Sequence, residues 1–529
     1  MMTESLSSGR FFPGWHAAAR PEAAAVIEAG TGRVRTYREV DALANQTSHL
    51  LRELGLDVGD HVALWFDNDL DYPALWWGAR YAGLYYTLIS TRLTPPEAAH
   101  IINDSGAKVV LLGARLAAEH GAALGPLVDE GTRLVVDGDQ PDGLRPLLAA
   151  QSTGPLPDRV EGIPMLYSSG TTGQPKAVKR TLSGAALGTT TTGVALAQRF
   201  GIDGDAVYLA PAPLYHAAPC AFVSATLALG GTVVLMDHFD AEAFLSAVDR
   251  FAVTHAQVVP TMFVRLLALP QPVKDAYALT SLRCAVHAGA PCPVPVKQAI
   301  LDWWGPVVHE YYSGTESVGL TVCGPQEWLA QPGTVGLPIG CAVHIVDDGG
   351  VELPAGHTGA VYFSGSGGFA YHNDADKTQD SYLPNGWATF GDIGHVNADG
   401  YLFLTDRRAN MIIVGGVNIY PQEAENVLIS HPLVADAAVF GIPHAEMGEE
   451  VKAVVQPAPG VVGDAALEAT LIAHCRSHLA STKCPRSIDF SDDLPREPTG
   501  KLLKRKLRDA YRAGLSAPTQ LALSPEGIA

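Results

Sequence analysis

The sequence predicts an α/β fold: a large N-terminal domain of layered α/β subdomains with a β-rich subdomain, followed by a small α+β C-terminal domain. Three observations predict it. A chain of 529 residues is too long for one hydrophobic core and should divide into two or more domains. Strand and helix patterns alternate up to about residue 340, which indicates largely parallel sheets. Beyond that point the pattern changes to strands separated by turns.

Short β-rich runs and amphipathic stretches carry the alternation. Strands are predicted at V-A-L-W-F (62–66), K-V-V-L-L (108–112), A-V-Y-L-A (206–210), T-V-V-L-M (232–236) and A-Q-V-V-P (256–260). Helices are predicted at 243–251 and 294–304. The apolar stretch 221–236 is broken by glycine and polar residues, so it predicts a buried helix and strand and no membrane span.

The later part of the chain divides into two sections and a tail. Strands at 342–347, 359–365 and 401–406 predict the β-rich subdomain. Strands at 411–414, 437–441 and 452–456, a helix from Pro421 and a helix capped by Asp464 predict the α+β unit. We therefore expect an N-terminal domain at 1–407, a C-terminal domain at 408–512 and a disordered Ser/Pro-rich tail at 513–529.

Composition excludes several classes of protein. A formal charge of −19 argues against a nucleic-acid-binding surface. The N-terminal residues lack the apolar core of a signal peptide, and seven scattered cysteines without a C-x-x-C pair suggest neither a zinc site nor a disulfide framework. A reduced, cytoplasmic location is the simplest expectation.

The stretch Y-S-S-G-T-T-G-Q-P-K at 167–176 combines glycines, hydroxyl side chains and a lysine. Successive backbone N–H groups in such a turn form a concavity that binds anions, and the lysine adds a positive charge. It is not the nucleotide-binding P-loop, because Pro175 precedes Lys176 and Ala177 follows it. A flexible turn joining two strands is the alternative, and composition leaves both interpretations open.

Continued through Ala177 and Val178, this stretch resembles the signature loop of the adenylate-forming superfamily, which includes acyl-CoA synthetases, peptide-synthetase adenylation domains and beetle luciferases. Four further motifs resemble those of the same superfamily and occur in its order. They are E-Y-Y-S-G-T-E (310–316), G-W-A-T-F-G-D (386–392), T-D-R-R-A-N-M-I-I-V-G-G-V-N-I-Y-P (405–421) and P-R-E-P-T-G-K (495–501). The resemblance covers roughly residues 15–512, and five ordered motifs make a chance match implausible.

The resemblance implies a reaction with two halves. A substrate carboxylate attacks the α-phosphate of ATP, giving an acyl-adenylate and pyrophosphate. The thiol of coenzyme A then attacks the acyl carbon and releases AMP. ATP, Mg²⁺ and coenzyme A are the implied cofactors, and a small carboxylic acid is the implied substrate. The C-terminal domain would be a mobile lid that rotates between the two halves.

The resemblance also assigns residues. Tyr312 would stack on adenine opposite the ledge 289–291, Asp392 would accept from the ribose hydroxyls, and Glu316 would bind magnesium. Implied catalytic residues are Lys501, His216, Glu316 and Thr171. Implied nucleotide- or CoA-binding residues are Ser168, Ser169, Gly170, Thr172, Gly173, Lys176, Gly289, Ala290, Pro291, Tyr312, Thr315, Asp392, Arg407, Gly415, Gly416, Asn418 and Lys483.

Two positions depart from the family pattern. The hinge position, two residues after Arg407, usually holds Asp or Lys and here is Ala409; a hinge requires backbone freedom more than a charge. Ala177 stands where glycine is common. In the basic run after Lys501, we interpret Lys504, Arg505 and Lys506 as solvated side chains.

The acyl-binding residues are the least defined. His216 stands where acyl- and aryl-CoA ligases often carry a histidine beside the carboxylate, and the acidic F-D motif of amino-acid-activating relatives is absent. We predict that Ala217, Ala218, Ser313 and Gly319 leave room for a bulky acyl group. Fatty, aryl and polycyclic acids all stay open.

Three functional hypotheses follow from the residues and the resemblance. The first is an AMP-forming acyl-CoA ligase. The second is an adenylating enzyme that passes its acyl group to a carrier protein or an amine. The third is a nucleotide-binding homologue with weakened catalysis, which the presence of Lys501, Glu316 and Asp392 disfavours. An acyl carrier protein and a second copy of the chain are left open as partners.

Overall fold

A computed structural model describes residues 9–168, 175–415, 417–444, 446–496 and 502–513. The β-strands are β1 Ala24–Glu28, β2 Val34–Thr36, β3 His61–Trp65, β4 Tyr85–Leu88, β5 Ala107–Leu112, β6 Arg133–Val136, β7 Ile163–Pro164, β8 Tyr167–Ser168, β9 Lys176–Lys179, β10 Val207–Ala210, β11 Thr232–Leu235, β12 His255–Val258, β13 Cys284–His287, β14 Val308–Tyr312, β15 Thr321–Cys323, β16 Leu337–Pro338, β17 Ala342–Val346, β18 Gly359–Ser364, β19 Ala370–Tyr371, β20 Asp392–Val396, β21 Leu402–Arg407, β22 Ile412–Val414, β23 Val417–Ile419, β24 Val434–His444, β25 Gly448–Pro457 and β26 Ser487–Phe490.

The α-helices are α1 Pro13–Ala19, α2 Tyr37–Glu53, α3 Tyr72–Tyr81, α4 Pro95–Ser105, α5 Ala114–Leu124, α6 Leu144–Ala149, α7 Thr192–Arg199, α8 Ala217–Leu229, α9 Ala241–Arg250, α10 Pro260–Leu267, α11 Gln271–Lys274, α12 Val294–Trp304, α13 Pro325–Ala330, α14 Ala375–Asp380, α15 Pro421–Ile429, α16 Ala465–His478 and α17 Lys504–Arg512. Short 3₁₀ turns lie at Gly125–Leu127 and Arg408–Asn410. No helix among the described ranges is long and apolar enough to cross a membrane.

The chain forms two compact units. The first contains the described residues up to Val258 together with Arg265–His287 and Phe369–Thr378. The second contains Val259–Val264, Ala288–Gly368 and the described residues from Gln379 onward.

The first unit is built on parallel strands, as the alternation predicts. One sheet has the order β6-β5-β3-β4-β7, with every neighbouring pair parallel. A second runs β13-β12-β10-β11-β1, also parallel, with β2 antiparallel at its edge. Helices α4 and α5 bury their apolar faces against the first sheet in a core that contains Trp65, Ile101, Ile102 and Val110. The predicted strands of this part are all present, with ends shifted by a residue or two.

The strands of the second unit are antiparallel in its first two groups. β14, β15 and β16 pair antiparallel, and β17-β18-β20-β21 form a separate antiparallel sheet. That sheet is the predicted β-rich subdomain. Its strands are short and are separated by turns with glycines at positive φ, such as Gly391 and Gly400.

The C-terminal part of the second unit is the predicted α+β arrangement. The sheet order is β23-β22-β25-β24, and β26 pairs parallel with β25. Its core contains Ile412, Leu428, Val439, Leu471 and Ile488. Helix α16 begins where expected, because the carboxylate of Asp464 accepts hydrogen bonds from the N–H groups of Ala466 and Leu467. The boundary at residue 407 and the tail at 513–529, most of which lies outside the described residues, stay predictions.

Candidate active site

The hydroxyl-rich loop joins two paired strands. β8 and β9 form a short antiparallel hairpin in which Ser168 is opposite Lys176 and Tyr167 is opposite Ala177. The side chain of Ser168 and the residues Ser169, Gly170, Thr171, Thr172 and Gly173 lie outside the described structure, so their predicted roles stay predictions.

A polar cluster in the first unit holds the base of this hairpin. The hydroxyl of Tyr167 donates to Oδ2 of Asp104 at 2.6 Å, and Nδ2 of Asn373 donates to Oδ1 of the same carboxylate at 3.1 Å. The ring Nε2 of His372 lies 2.9 Å from the backbone carbonyl of Asp104. Strand β19 also pairs with β9. The segment around residue 373 therefore contacts β9 directly and β8 through Asp104.

Lys176, the predicted phosphate ligand, forms an ion pair with Asp374 in the first unit. The ammonium and the N–H of Lys377 lower the pKa of the Asp374 carboxyl, so the aspartate is ionised at neutral pH. Binding of a phosphate by Lys176 would require this ion pair to open or to become a shared contact.

The second unit brings Tyr312, Asp392 and Arg407 together. Strand β14 ends at Tyr312, whose hydroxyl donates to Oδ2 of Asp392 at 2.5 Å. Nε of Arg407 lies 3.3 Å from Oδ1 of the same carboxylate. Asp392 and Arg407 are directly opposite each other in the β20–β21 pair. Three motifs separated by up to 95 positions along the chain therefore meet at one carboxylate.

The carboxylate at the centre of this cluster is buried. The Asp392 side chain is 7% exposed, whereas that of Arg407 is 42% exposed. Burial raises the pKa of Asp392, and the guanidinium of Arg407 and the hydrogen bond from Tyr312 oppose that rise. A carboxylate offers about four acceptor positions. Tyr312 and Arg407 each occupy one of these acceptor positions. The Asp392 carboxylate therefore has positions left to accept hydrogen bonds from two vicinal hydroxyls.

Aromatic rings enclose the Tyr312 side of the cluster. The Phe390 ring packs edge-on against Tyr312 at 5.5 Å, and Phe363 lies 6.1 Å away. A Cβ atom at Gly314 would be 2.6 Å from Phe390, so only glycine allows this approach. A Cβ atom at Gly319 would be 2.1 Å from Phe363, which fills the space expected for an acyl group. Our prediction for Gly319 is therefore wrong.

Glu316 lies near this cluster. Its carboxylate contributes to the raised pKa values of both Tyr312 and Asp392, which places it close to both groups. Thr315 and Glu316 are half-buried. Gly289 adopts a φ of +85°, and Ala290 and Pro291 follow it on the surface of the same unit. Their contact with a nucleotide stays a prediction.

His216 lies in the first unit, immediately before α8. Its ring is 4.5 Å from that of Tyr215, and its carbonyl accepts from the N–H of Cys220 in the first turn of the helix. Ala217 and Ala218 are the first two residues of α8 and are half-buried. The imidazole is therefore held at a helix start with small side chains beside it.

The C-terminal motifs are described only in part. Gly415 adopts a φ of +57° in the β22–β23 hairpin and donates its N–H to the carbonyl of Met447 at 2.8 Å. Asn418 is exposed and is paired with Ile413. Lys483, predicted to contact CoA, forms a 2.5 Å ion pair with Glu423. Gly416 and Lys501 lie outside the described residues, and all these roles stay predictions.

The interpretation of Lys504 as a solvated lysine is wrong. Its side chain is 12% exposed and forms a 2.8 Å ion pair with Glu425, which is 4% exposed. Burial raises the pKa of Glu425, and the ammonium of Lys504 opposes that rise. Lys504 therefore joins α17 to α15 inside the C-terminal core. Arg505 and Lys506 are exposed, as expected.

Asp406 is a residue that the sequence analysis missed. Its Oδ1 accepts from the N–H of Arg407 at 2.6 Å and from Nδ2 of Asn410 at 3.0 Å, while Oδ2 accepts from the N–H of Gln422 at 2.9 Å. One carboxylate therefore binds both sides of the expected hinge and the N-terminus of α15. An aspartate some 15 residues before a Pro-initiated helix is the only sequence indication, and it is a weak one.

Two family models match most of the chain. A model described as AMP-binding enzyme matches residues 14–370, and one described as AMP-binding enzyme C-terminal domain matches residues 423–501. The chain is also similar in structure to ATP-bound MatB from Rhodopseudomonas palustris, with a TM-score of 0.82 and 27% identity. The similarity covers 96% of this chain and 100% of MatB.

Curated relatives match over nearly the whole chain. A long-chain-fatty-acid–CoA ligase of Mycobacterium tuberculosis, FadD13, is 32% identical, covering 94% of this chain and 98% of the relative. Feruloyl-CoA synthase of an Amycolatopsis species is 33% identical, covering 93% and 96%. The fatty acid–[acyl-carrier-protein] ligase ScoC of Streptomyces coeruleorubidus is 32% identical, covering 94% and 95%.

A large α/β domain followed in the chain by a small α+β domain is the architecture of the solved adenylate-forming enzymes that this chain matches. The chain belongs to the AMP-binding enzyme family, which confirms the predicted adenylate-forming superfamily. It is an AMP-forming acid–thiol ligase that uses ATP to make an acyl-adenylate and transfers the acyl group to coenzyme A.

Proposed function

We propose that the Tyr312–Asp392–Arg407 cluster binds the nucleoside of ATP during activation of a carboxylic acid that lacks an α-amino group. The observation that carries the proposal is the buried Asp392 carboxylate, which keeps acceptor capacity beside an aromatic wall. Ribose presents two vicinal hydroxyl donors to such an acceptor. Tyr312 stays protonated, because burial raises its pKa well above the usual value, and it orients the carboxylate as a donor.

Glu316 supplies the oxygen ligand for Mg²⁺ in this proposal. Mg²⁺ usually takes one or two protein carboxylates and completes its coordination with phosphates and water. The half-buried position of Glu316, close to the nucleoside-binding cluster, fits that role. No group of three His, Cys, Asp or Glu side chains within the described ranges could hold a metal by itself, which suits a metal carried by the nucleotide.

The carboxylic acid binds beside His216 in the first unit. The small residues Ala217 and Ala218 follow the imidazole and give the acyl chain access to the start of α8. Fatty, aryl and polycyclic acids all remain candidates. We also propose a cytoplasmic location, because the cysteines are free thiols and the cytoplasm is a reducing compartment.

A screen of carboxylic acids tests the proposal. Each acid is incubated with ATP and Mg²⁺, with and without coenzyme A, and pyrophosphate, AMP and thioester are measured. We expect pyrophosphate release with the correct acid class, and AMP and thioester only when coenzyme A is present. Pyrophosphate release with amino acids alone, and with no other acid, would contradict the proposed acyl site.

A carrier protein is a second candidate acceptor, favoured by the similarity to ScoC. It would use the same adenylate but present its thiol on a phosphopantetheine arm. In the screen, this alternative predicts adenylate that persists with coenzyme A and is consumed only when a phosphopantetheinylated carrier protein is added.

We further propose that the segment after Arg407 is a hinge between the two half-reactions. Ala409→Pro should leave adenylate formation largely intact and slow thioester formation roughly tenfold or more, because proline restricts φ and disfavours a helical conformation at the preceding residue. Arg408, which precedes the substituted residue, lies in the 3₁₀ turn Arg408–Asn410, so the rate of adenylate formation in the variant shows whether the starting conformation survives the change. Pyrophosphate release and single-turnover thioester formation measure the two halves separately.

The matched control is Ala398→Pro, a substitution in the exposed turn between β20 and β21 of the same unit. It should change neither half-reaction selectively. Equal loss of both half-reactions in Ala409→Pro would mean that Ala409 is not the pivot.

A further inference from the structure

Helix α3 and the residues before it present a polar side chain at every fourth position. Asn68, just before the helix, donates from Nδ2 to the carbonyl of Met236 at 2.9 Å and accepts at Oδ1 from the N–H of Leu214 at 2.9 Å. Trp76 donates from Nε1 to Oγ of Ser224 on α8 at 3.1 Å. These contacts, all within the first unit, seat α3 along α8 and along the loop that carries His216.

The row continues with Arg80. Its Nε donates to Oε1 of Glu161 at 3.0 Å, and Oε2 of Glu161 accepts from the N–H of Gly188 at 3.0 Å. The Arg80 and Glu161 side chains are only 8% and 6% exposed, so this ion pair is buried and hydrogen-bonded. The members of the row on either side of Tyr72 therefore have partners.

Tyr72 is the exception. It is 0% exposed, and its hydroxyl makes no hydrogen bond to any described residue. The rings of Phe66 at 5.5 Å and Trp76 at 5.2 Å hold the phenol in place. By contrast, the buried Tyr37 donates its hydroxyl to a backbone carbonyl, that of Gly231, at 2.7 Å. Burying a hydroxyl without a partner costs free energy, so such a group usually has a partner of another kind.

The position of Tyr72 suggests what that partner is. Burial raises the pKa of the Tyr72 hydroxyl, and the nearby thiol of Cys220 and phenol of Tyr215 raise it further. The hydroxyl therefore keeps its proton and can donate a hydrogen bond. Tyr215 precedes His216, and Cys220 lies one turn further into α8, about 6 Å along the helix axis at 1.5 Å per residue. The neighbours of Tyr72 in the row contact residues on both sides of the start of α8, so Tyr72 lies beside that start, where His216 is held.

We propose that the Tyr72 hydroxyl donates a hydrogen bond to an oxygen acceptor on the acyl chain, remote from its carboxylate. The substrate is then an acid that carries a carbonyl group, and not a plain hydrocarbon chain. This inference rests on the proposed function, because His216 is what places the carboxylate. Tyr72 is a specificity-determining residue for the first half-reaction.

Matched pairs of acids test the proposal. Straight-chain keto acids, with the carbonyl moved one carbon at a time, are compared with unsubstituted acids of equal length. We expect wild type to favour one keto acid, and Tyr72→Phe to lose roughly tenfold in kcat/KM for that acid alone, the effect of one hydrogen bond. The melting temperature of Tyr72→Phe should not fall, because its hydroxyl has no partner among the described residues.

Tyr37→Phe is the matched control. It removes a buried hydroxyl that bonds the backbone, so it should lower the melting temperature and leave the preference between the paired acids unchanged. Calorimetric binding of the same acids to wild type and Tyr72→Phe gives a result that does not depend on turnover. Equal preference in wild type and Tyr72→Phe, by kinetics or by binding, would overturn the role of Tyr72. Absence of thioester from every acid would instead contradict the proposed function.

Discussion

The Lys501→Ala variant is expected to form acyl-adenylate roughly 100-fold more slowly than wild type, the usual loss when one donor to a developing oxyanion is removed. As the carboxylate attacks the α-phosphate, negative charge accumulates on the oxygens around phosphorus. An ammonium placed there stabilises the transition state more than the ground state, which is what raises the rate. The measurement is pyrophosphate release under single-turnover conditions.

The second half-reaction should be spared in this variant. Given pre-formed acyl-adenylate and coenzyme A, Lys501→Ala should make thioester at close to the wild-type rate, since the proposed rotation would remove Lys501 from the site by then. Lys506→Ala, in the same basic run and exposed, is the control and should match wild type in both assays. Equal impairment of both half-reactions in Lys501→Ala would contradict a role confined to adenylation.

Asp392→Asn is expected to raise the KM for ATP about 10- to 100-fold. A hydrogen bond to a charged group contributes about 1.5–3 kcal/mol, and about 1.4 kcal/mol corresponds to a factor of ten. The amide keeps the shape of the side chain but loses the negative charge that Arg407 and Tyr312 now contact. Initial-rate kinetics with varied ATP, and nucleotide binding by calorimetry, measure the change.

The specificity of that effect can be checked with a deoxy substrate. If Asp392 accepts from the ribose, wild type should use 2′-deoxy-ATP poorly, and Asp392→Asn should discriminate less between the two nucleotides. Asp399→Asn, an exposed position in the turn between β20 and β21, should behave as wild type. An unchanged KM for ATP in a folded Asp392→Asn protein would exclude Asp392 from the nucleotide site.

Local patterns predicted most of the secondary structure. The run 108–112 lies in β5, the stretch 294–304 is α12, and Asp464 caps α16. These elements depend on short-range periodicity and on caps, which nearby residues determine. The ends were less predictable: β24 extends from Val434 to His444, well beyond the run 437–441, because pairing with β25 continues the strand.

Part of the site could be predicted in the same way. The motifs that contain Tyr312, Asp392 and Arg407 were recognised in the sequence, but their meeting at one carboxylate was visible only in the structure. The predicted room beside Gly319 is filled by Phe363, a residue 44 positions away. The burial of Lys504 against Glu425 could not be predicted either, because its neighbours in sequence are exposed basic residues.

The sequence by itself determined the class of enzyme, since the order of five motifs and the residue types within them specify adenylate chemistry. It also predicted the alternation of strands and helices in the first part of the chain and the change to turn-separated strands after it. The tertiary structure alone decided which polar side chains are paired: Asp406 with Asn410 and Gln422, and Tyr72 with no described residue. The physical reason is that a hydrogen bond of a buried group depends on which distant segments pack around it, and packing is a property of the whole fold.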